Sequence, residues 1–370
     1  MIAQNGGMPF ADEMIGAPVV AALIEGIAAV APGRPLTALR GAELGTLSVR
    51  ERSDLLRDAL LADLPGDYRS FAATIRAALD RPSFRGWLIW PVSTAVAGKA
   101  LEPGGDFRDA MALLAELTPR LTAEFAVRPL LAHDLGRALP IVREWAADAD
   151  EHVRRLASEG TRPFLPWAKR VPRLTTDPRL TVPILDALYR DESADVRRSV
   201  ANHLNDLSRI DPDLAVEVAA AWLAAPDPNT PRLVRHALRT LVKKGHPGAL
   251  RLLGFTPDVG VAVTGPTLAS TVVPFGGTVR FTAALTNTSA EPATVAVDYI
   301  VHHMKANGQP AGKTFKLATL TLAPGERRMI SRDHSFRPIT TRRYYPGTHA
   351  IELQLNGLVT GRSEFRLEAP

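Results

Sequence analysis

Cysteine is absent from all 370 residues of the chain. That excludes disulfides, cysteine nucleophiles and cysteine-ligated zinc or iron–sulfur centres. Long hydrophobic runs are missing too. No uncharged apolar stretch reaches the ~20 residues a membrane-spanning helix needs, so no membrane partner is expected. The start of the chain carries Asp12 and Glu13 and no basic leading segment, unlike a secretory signal. A strong charge imbalance is lacking as well, the net charge being only +5. What is present is ordinary globular material: 46% apolar and 22% charged residues argue against disorder and leave enough for two or three cores. A soluble cytoplasmic protein is the expectation.

The distribution of charge says more than its sum. Residues 1–149 hold 15 Lys and Arg against 18 Asp and Glu, whereas residues 150–257 and 258–370 each carry an excess of four cations. The change falls at the stretch HVRRLASEGTRPFLPWAKR, from His152 to Arg170. It places Glu159 eight residues before Trp167 and surrounds both with Arg154, Arg155, Arg162, Lys169 and Arg170. On a surface, such a carboxylate would be a solvated ion pair of little worth. A carboxylate, an aromatic face and a rim of cations together could instead hold a polyanion while handling a cationic group within it.

Up to about residue 256 the apolar spacing is helical. Ser48 and Glu51 have the spacing of a capping box. Asp177-Pro178, Asp211-Pro212 and Thr230-Pro231 read as cap-plus-proline helix starts, and Gly104-Gly105 marks a break. HVRRLASEG, DVRRSVANHLND and LVRHALRTLVKK align on Val153, Val196 and Val234, at intervals of 43 and 38 residues. Those intervals suit HEAT-type repeats of ~40–47 residues. Val234, Ala237, Leu238, Leu241 and Val242 form the apolar stripe of the third segment. The complementary polar stripe runs through His236, Arg239, Thr240 and Lys243. Its counterparts are Arg198, Asn202 and Asn205, with Asp206 beside them, in the second segment and Arg155, Ser158, Glu159 and Arg162 in the first. Glu159 and Asp206 are therefore expected on a shared basic face, clear of the core.

Near Asp258 the period changes to two. TVRFTAAL turns Val279, Phe281, Ala283 and Leu285 inward, and TVAVDYIV, KTFKLATLTL and HAIELQL continue the alternation. Turns at Asn307-Gly308, Pro324-Gly325 and Pro346-Gly347 separate about seven expected strands, the count of an immunoglobulin-like sandwich. The expected architecture is a HEAT-like α-helical solenoid over 1–256 and an immunoglobulin-like β-sandwich over 257–370, joined through GFTPDVG.

HVRRLASEGTRPFLPWA, RHALRTLVKKGHPGAL and TTRRYYPGTHAIELQLNG resemble segments of the AlkC-type DNA alkylation repair glycosylases, HEAT-like repeat proteins with an added immunoglobulin-like domain. The resemblance runs from about residue 10 to the C-terminus and is densest between 120 and 260. It implies excision of cationic N-alkylated bases, chiefly 3-methyladenine and 3-methylcytosine, from double-stranded DNA, without metal or cofactor. A monomeric, nucleoid-associated bacterial protein is the matching expectation. Glu124 of LTAEFAVRPLL, Glu159, Asp206 of NHLND and Trp167 fall where similar proteins hold active-site carboxylates and a stacking aromatic. Arg155, Arg162, Lys169, Arg170, Arg198, Arg239, Lys243 and Lys244 are the expected DNA-binding cations of the helical part. Arg342 and Arg343, beside Tyr344 and Tyr345, are those of the sandwich. Phe164 departs from the pattern, in a stretch where a basic or polar residue is expected.

Each of these residues also has a bland reading. Asp206 could pair with Arg209 or Arg198, Glu159 has ordinary helical partners in Arg155 and Arg162, Trp167 could anchor its loop, and Glu124 could be a surface residue. Trp87, Trp90, Trp145 and Trp222 read as core. His302 and His303 are adjacent on a strand and so face opposite ways, which argues against a metal pair. A repeat scaffold binding a protein partner, and a sensor that recognises lesions without excising them, are the rival functions.

Overall fold

The structure, a computed structural model, describes residues 11–256, 260–339 and 342–369. Part of the expected linker (Pro257, Asp258 and Val259) and the first two residues of TTRRYYPG lie outside the described residues. Helices run from Ala11 to Leu252 and strands from Val261 to Leu367, so the switch of period marks a real change of architecture. None of the described helices is long and apolar enough to cross a membrane.

The helix starts follow the expected chemistry in part: Pro212 opens Pro212–Ala224 as expected, whereas Pro178 opens only a short 3-10 helix over Pro178–Thr181, with no side-chain cap bond from Asp177. Ser48 Oγ accepts from the Glu51 amide and the Glu51 carboxylate accepts from the Ser48 amide, closing the capping box of Val49–Asp63. Asp106, just after Gly104-Gly105, caps Phe107–Leu117. At Thr230-Pro231 the cap lies upstream: Asp227 accepts from the amides of Asn229 and Thr230, and Thr230 is already helical.

The three related segments are helices Glu151–Gly160, Ala194–Leu207 and Thr230–Ala237. The first packs on the second and the second on the third, with Val153, Val196 and Val234 buried at the contacts. The third differs from the continuous helix expected. It stops at Ala237, Leu238 takes φ −88° and ψ 6°, and a separate helix occupies Arg239–Lys243. That break coincides with the division of the chain into two compact units. One comprises Met1–Asp211 with Trp222–Ala237, the other Pro212–Ala221 with Leu238–Pro370. The strands therefore share their unit with the last helices: Leu250, Phe255 and Ala296 form one small core. Asn356 ties them by accepting from the Ala296 amide and donating to the Thr256 carbonyl.

The sandwich has eight described strands: β1 (Val261–Leu268), β2 (Val272–Val273), β3 (Thr278–Asn287), β4 (Ala293–Met304), β5 (Pro310–Leu322), β6 (Arg327–Ser335), β7 (Gly347–Leu355) and β8 (Leu358–Leu367). They form sheets of order β1-β3-β6 and β2-β8-β7-β4-β5. Val279, Phe281, Ala283 and Leu285 are all buried, as the alternation of β3 requires. His302 and His303 do face opposite ways. His302 meets Glu352 at 2.8 Å, while His303 enters the core among Phe336, Tyr344, His334 and His349.

Candidate active site

The site is built where the first repeat helix ends. Gly160 closes that helix, and a Cβ there would come within 2.8 Å of Val127, so only glycine allows the approach. The approach brings Arg128, on the helix Val127–His133, beneath the loop that follows. Its Nη1 donates to the carbonyls of Gly160 and Arg162, and its Nε to that of Lys169. Burial, together with nearby Arg170, lowers the pKa of Arg128 to about 10. One buried cation thus staples the loop Thr161–Arg170 over the helix end.

That loop corrects the expectation of an open basic face. Ser158, Glu159, Arg162, Asn205 and Asp206 are all buried, with Glu159 and Asp206 only 6% and 4% exposed. Arg162 joins the carboxylates: Nη1 donates to Glu159 Oε1 at 2.7 Å and Nε to Asp206 Oδ2 at 2.9 Å. Burial disfavours its charge, but the two carboxylates outweigh that cost and the net shift of the guanidinium pKa is upward. Arg162 was expected to contact DNA. Its buried side chain is instead committed to two carboxylates, and it acts as their strut.

Glu159 is held from its other side. Ser199 Oγ donates to Oε2 at 2.6 Å, and Ser158 Oγ lies 3.0 Å behind that hydroxyl. His203 turns Nδ1 to the Ser158 carbonyl at 2.9 Å. Burial, then Arg162, depresses the His203 pKa to about 3, so it is a neutral spacer. Glu124 completes the set: Arg155 Nη1 donates to its Oε2 at 3.0 Å, Arg155 Nη2 lies 3.9 Å from Glu159 Oε1, and Thr122 Oγ1 donates to Glu124 at 2.7 Å. Three carboxylates and two guanidinium groups therefore form one chain of ion pairs.

The chain opens on a cavity of about 260 Å³. Glu124, Glu159 and Arg162 supply its polar wall, and Trp87, Trp90, Phe125 and Trp167 supply aromatic faces. Asp206 is reached through Arg162. Trp90 stacks on Phe125 at 4.6 Å between centroids and lies 6.3 Å from Trp87. Trp90, read from the sequence as core, is buried and serves also as cavity wall, whereas Trp87, read as core too, is only half-buried there. Their apolar periodicity gave no signal of that second duty, because a cavity wall and a core face look alike in sequence. Trp145 and Trp222 are buried as expected. Trp167 is 49% exposed and takes φ +61°, a left-handed conformation rare for a bulky residue and typical of functional strain. It is held up to the cavity rather than packed away.

The remaining expected cations fall into two groups. Lys169 and Arg170 are exposed beside the cavity loop, and Arg198 forms an exposed pair with Asp195 at 3.3 Å. Arg239, Lys243 and Lys244 belong to the second unit, where burial raises the pKa of Asp298 and Lys243 only partly offsets it. Arg342 is half-buried, donating to His303 Nε2 at 2.9 Å, whereas Arg343 is exposed over Tyr345. Asp206 pairs with neither Arg198 nor Arg209 through its side chain; its partner is Arg162.

Comparison with known proteins places this arrangement. Residues 121–241 match the family model described as DNA alkylation repair enzyme, and residues 262–369 match the C-terminal Ig-like domain of uncharacterised protein YhaZ. The uncharacterized protein YhaZ of Bacillus subtilis is 34% identical over 336 residues, covering 90% of this chain and 91% of that protein. The alkylpurine DNA glycosylase AlkC of Pseudomonas fluorescens, solved bound to DNA containing an abasic site analog, superposes with a TM-score of 0.88. It is 35% identical, with 98% of this chain and 100% of that one covered. The chain belongs to the AlkC-type family of DNA alkylation repair proteins, helical repeats followed by an immunoglobulin-like domain.

Proposed function

We propose that the protein is a monofunctional, monomeric DNA glycosylase that hydrolyses the N-glycosidic bond of cationic alkylated bases, 3-methyladenine and 3-methylcytosine, in duplex DNA. The observation that carries this reading is the single cavity in which two carboxylates, Glu124 and Glu159, face four aromatic rings. A protein-binding scaffold has no use for such a cavity, and a planar cation suits it on both counts.

Alkylation at N3 makes the base a cation whose bond to C1′ is already labile. The base leaves as a neutral molecule with the bonding electrons and needs no proton. Positive charge then develops on the deoxyribose, and a water oxygen forms the new bond to C1′. Glu159, Glu124 and Asp206 stabilise that charge, by the logic that governs any oxocarbenium-like transition state. The water's proton passes to a carboxylate and then to solvent. Ser199 and Arg162 fix the Glu159 carboxylate in advance, so little reorganisation is left for the reaction itself. Trp167 offers a π face to the cationic base, a contact worth about 0.5–2 kcal/mol. Lys169, Arg170, Arg198, Arg239, Lys243, Lys244 and Arg343 are the cations for the backbone, with Arg155 and Arg342 engaged in part within the protein.

The test is release of base. Methylated duplex DNA incubated with the purified protein should yield free 3-methyladenine and abasic sites, with strand breaks appearing only after alkali. Bound DNA with no released base would reduce the protein to a lesion sensor. Failure to bind DNA at all would end the reading.

A further inference from the structure

Phe164 lies in the loop Thr161–Arg170 that follows the first repeat helix, and the structure gives it two cations. The Arg209 guanidinium carbon lies 4.0 Å from the centroid of its ring, and that of Arg170 lies 4.6 Å away. Arg170 is oriented further by donating from Nη1 to the Pro163 carbonyl at 2.8 Å. Arg209 leaves the end of the helix Ala194–Leu207 one turn past Asp206, with its amide bonded to the Asp206 carbonyl. Both arginines are exposed, and neither forms an ion pair with any described residue. Buried Arg128 and exposed Lys169 add positive charge beside them.

Two neighbouring guanidinium groups with no ion-pair partner of their own need a compensating one, since Asp206 nearby is committed to Arg162. A phenyl ring supplies part of it through its negative face. It also does something a polar side chain would not. An Asn, Gln or carboxylate at position 164 would occupy guanidinium N–H groups, whereas a ring accepts no N–H···O bond and leaves free the N–H groups that Arg170 does not spend on the Pro163 carbonyl. Open guanidinium edges match phosphate oxygens in a forked, two-bond geometry. Phe164 is three residues from Trp167, so the cluster lies within about 10 Å of chain from the cavity rim. Phosphate groups of a strand whose damaged base meets Trp167 come within that distance.

We propose that Phe164, Arg170 and Arg209 form a clamp for one phosphodiester flanking the excised nucleotide, Phe164 orienting the two guanidinium groups and the arginines binding the anion. The inference rests on the DNA glycosylase reading and assigns Phe164 and Arg209 a part in it. The clamp fixes the sugar–phosphate backbone beside Asp206 and so sets where C1′ stands relative to the carboxylates.

The test uses the full chain and two readouts. The first is the affinity for undamaged duplex as a function of salt. Arg209→Gln should lower the slope of log K against log salt by about one phosphate. Phe164→Leu, which keeps apolar bulk and deletes the ring face, should weaken binding three- to tenfold, and Phe164→Tyr should restore it. The second readout is single-turnover excision on duplexes carrying one neutral methylphosphonate at each phosphate near the lesion. One flanking position should slow the wild-type protein several-fold and leave Arg209→Gln no slower than it already is. Equal slopes and affinities in all variants would overturn the clamp, as would a methylphosphonate penalty undiminished in Arg209→Gln. Should Phe164→Leu fail to fold, exposed Arg209 still carries both measurements. A wild-type protein that binds no DNA would instead remove the glycosylase reading together with the clamp, whereas binding and excision with insensitive variants would remove the clamp alone.

Discussion

In the helical unit the buried polar groups that bear on function are charged and paired, while in the sandwich they are imidazoles held neutral. Arg162 sits between Glu159 and Asp206, and Arg155 reaches Glu124. In the sandwich His303, His334 and His349 lie with ring centroids of His303 within 5.7 and 5.9 Å of the other two. Each of the three keeps one ring nitrogen buried without a partner among the described residues. The helical arrangement takes charged groups out of water, a cost that only close pairing offsets, so it is expected where anions must be held ready for chemistry. The imidazoles themselves carry no charge, and with cations such as Arg342 around them they cannot stabilise a developing cation. Charge kept at a cost marks the site, and polarity without charge marks packing.

The largest expected effect follows from breaking the charged set. Glu159→Gln and Asp206→Asn should each reduce single-turnover excision by about 10²- to 10³-fold, the scale of losing one preorganised electrostatic contact to a transition state. Each leaves Arg162 one carboxylate partner, so melting temperature and DNA affinity should stay near wild type. Arg162→Gln should behave differently, because it leaves two buried carboxylates without their common counterion and should destabilise the fold by about 3–5 kcal/mol. Wild-type excision rates in both carboxylate variants would mean the charged network is only structural, and the contrast between the units would lose its meaning.

Trp167 gives the next effect. Its exposed ring contributes little to the core, so Trp167→Ala should leave the melting curve unchanged while slowing excision of cationic bases about tenfold, equivalent to about 1.4 kcal/mol. Phe at this position should recover part of the rate. Full recovery by Leu would show that bulk rather than the π face matters. Trp90, stacked on Phe125 in the same cavity wall, is buried, and its truncation should cost about 3–5 kcal/mol of stability as well as rate. The pair separates a residue held out for a ligand from one that shapes the cavity by packing.

Much of this was legible in the sequence. The alternation of Val279, Phe281, Ala283 and Leu285 announced β3, and the repeated valines announced the stacked helices, because both patterns are consequences of which face is buried. Which polar residues came together was less legible. Periodicity put Glu159, Arg162 and Asp206 on the polar stripe, and a stripe normally faces water. A loop bound to Arg128 buries them, and no local pattern encodes a cap that arrives from 30 residues upstream through backbone carbonyls. The ring pair at Trp87 and Trp90 was hidden for the opposite reason, since apolar residues at helical spacing report burial without saying whether a cavity adjoins them. Phe164 read only as a departure from the pattern because its partners, Arg170 and Arg209, meet it only in the folded chain.

The smallest effect near neutral pH, and the one that separates the two regions most cleanly, is the response to acid. Burial, with Arg342 as the next cause, lowers the pKa of His303 from 6.5 to about 3 and that of His334 to about 4; burial also lowers His349. The helical unit holds one such imidazole, His203, also near 3. All four are neutral in the folded protein and protonate near 6.5 once unfolded. Their contribution to stability is therefore intact above about pH 6.5. It is lost as the pH falls from there, toward 3–4 for His203, His303 and His334 and in the same direction for His349, since the unfolded chain then binds the extra protons. Up to three protons act on the sandwich and one on the helical unit. His303 cannot escape by charging in place: Arg342 donates to its Nε2, with Lys305, Lys313 and Arg332 adding positive charge around the cluster. Amide hydrogen exchange of the full chain, resolved by segment, should show protection in β4 and β7 falling faster between pH 6.5 and 4.5 than in the helix Ala194–Leu207. His334→Phe should flatten the loss in the strands and leave the helix unaffected. Parallel loss in both regions, or none in either, would mean that the neutral imidazoles are not what distinguishes the sandwich core.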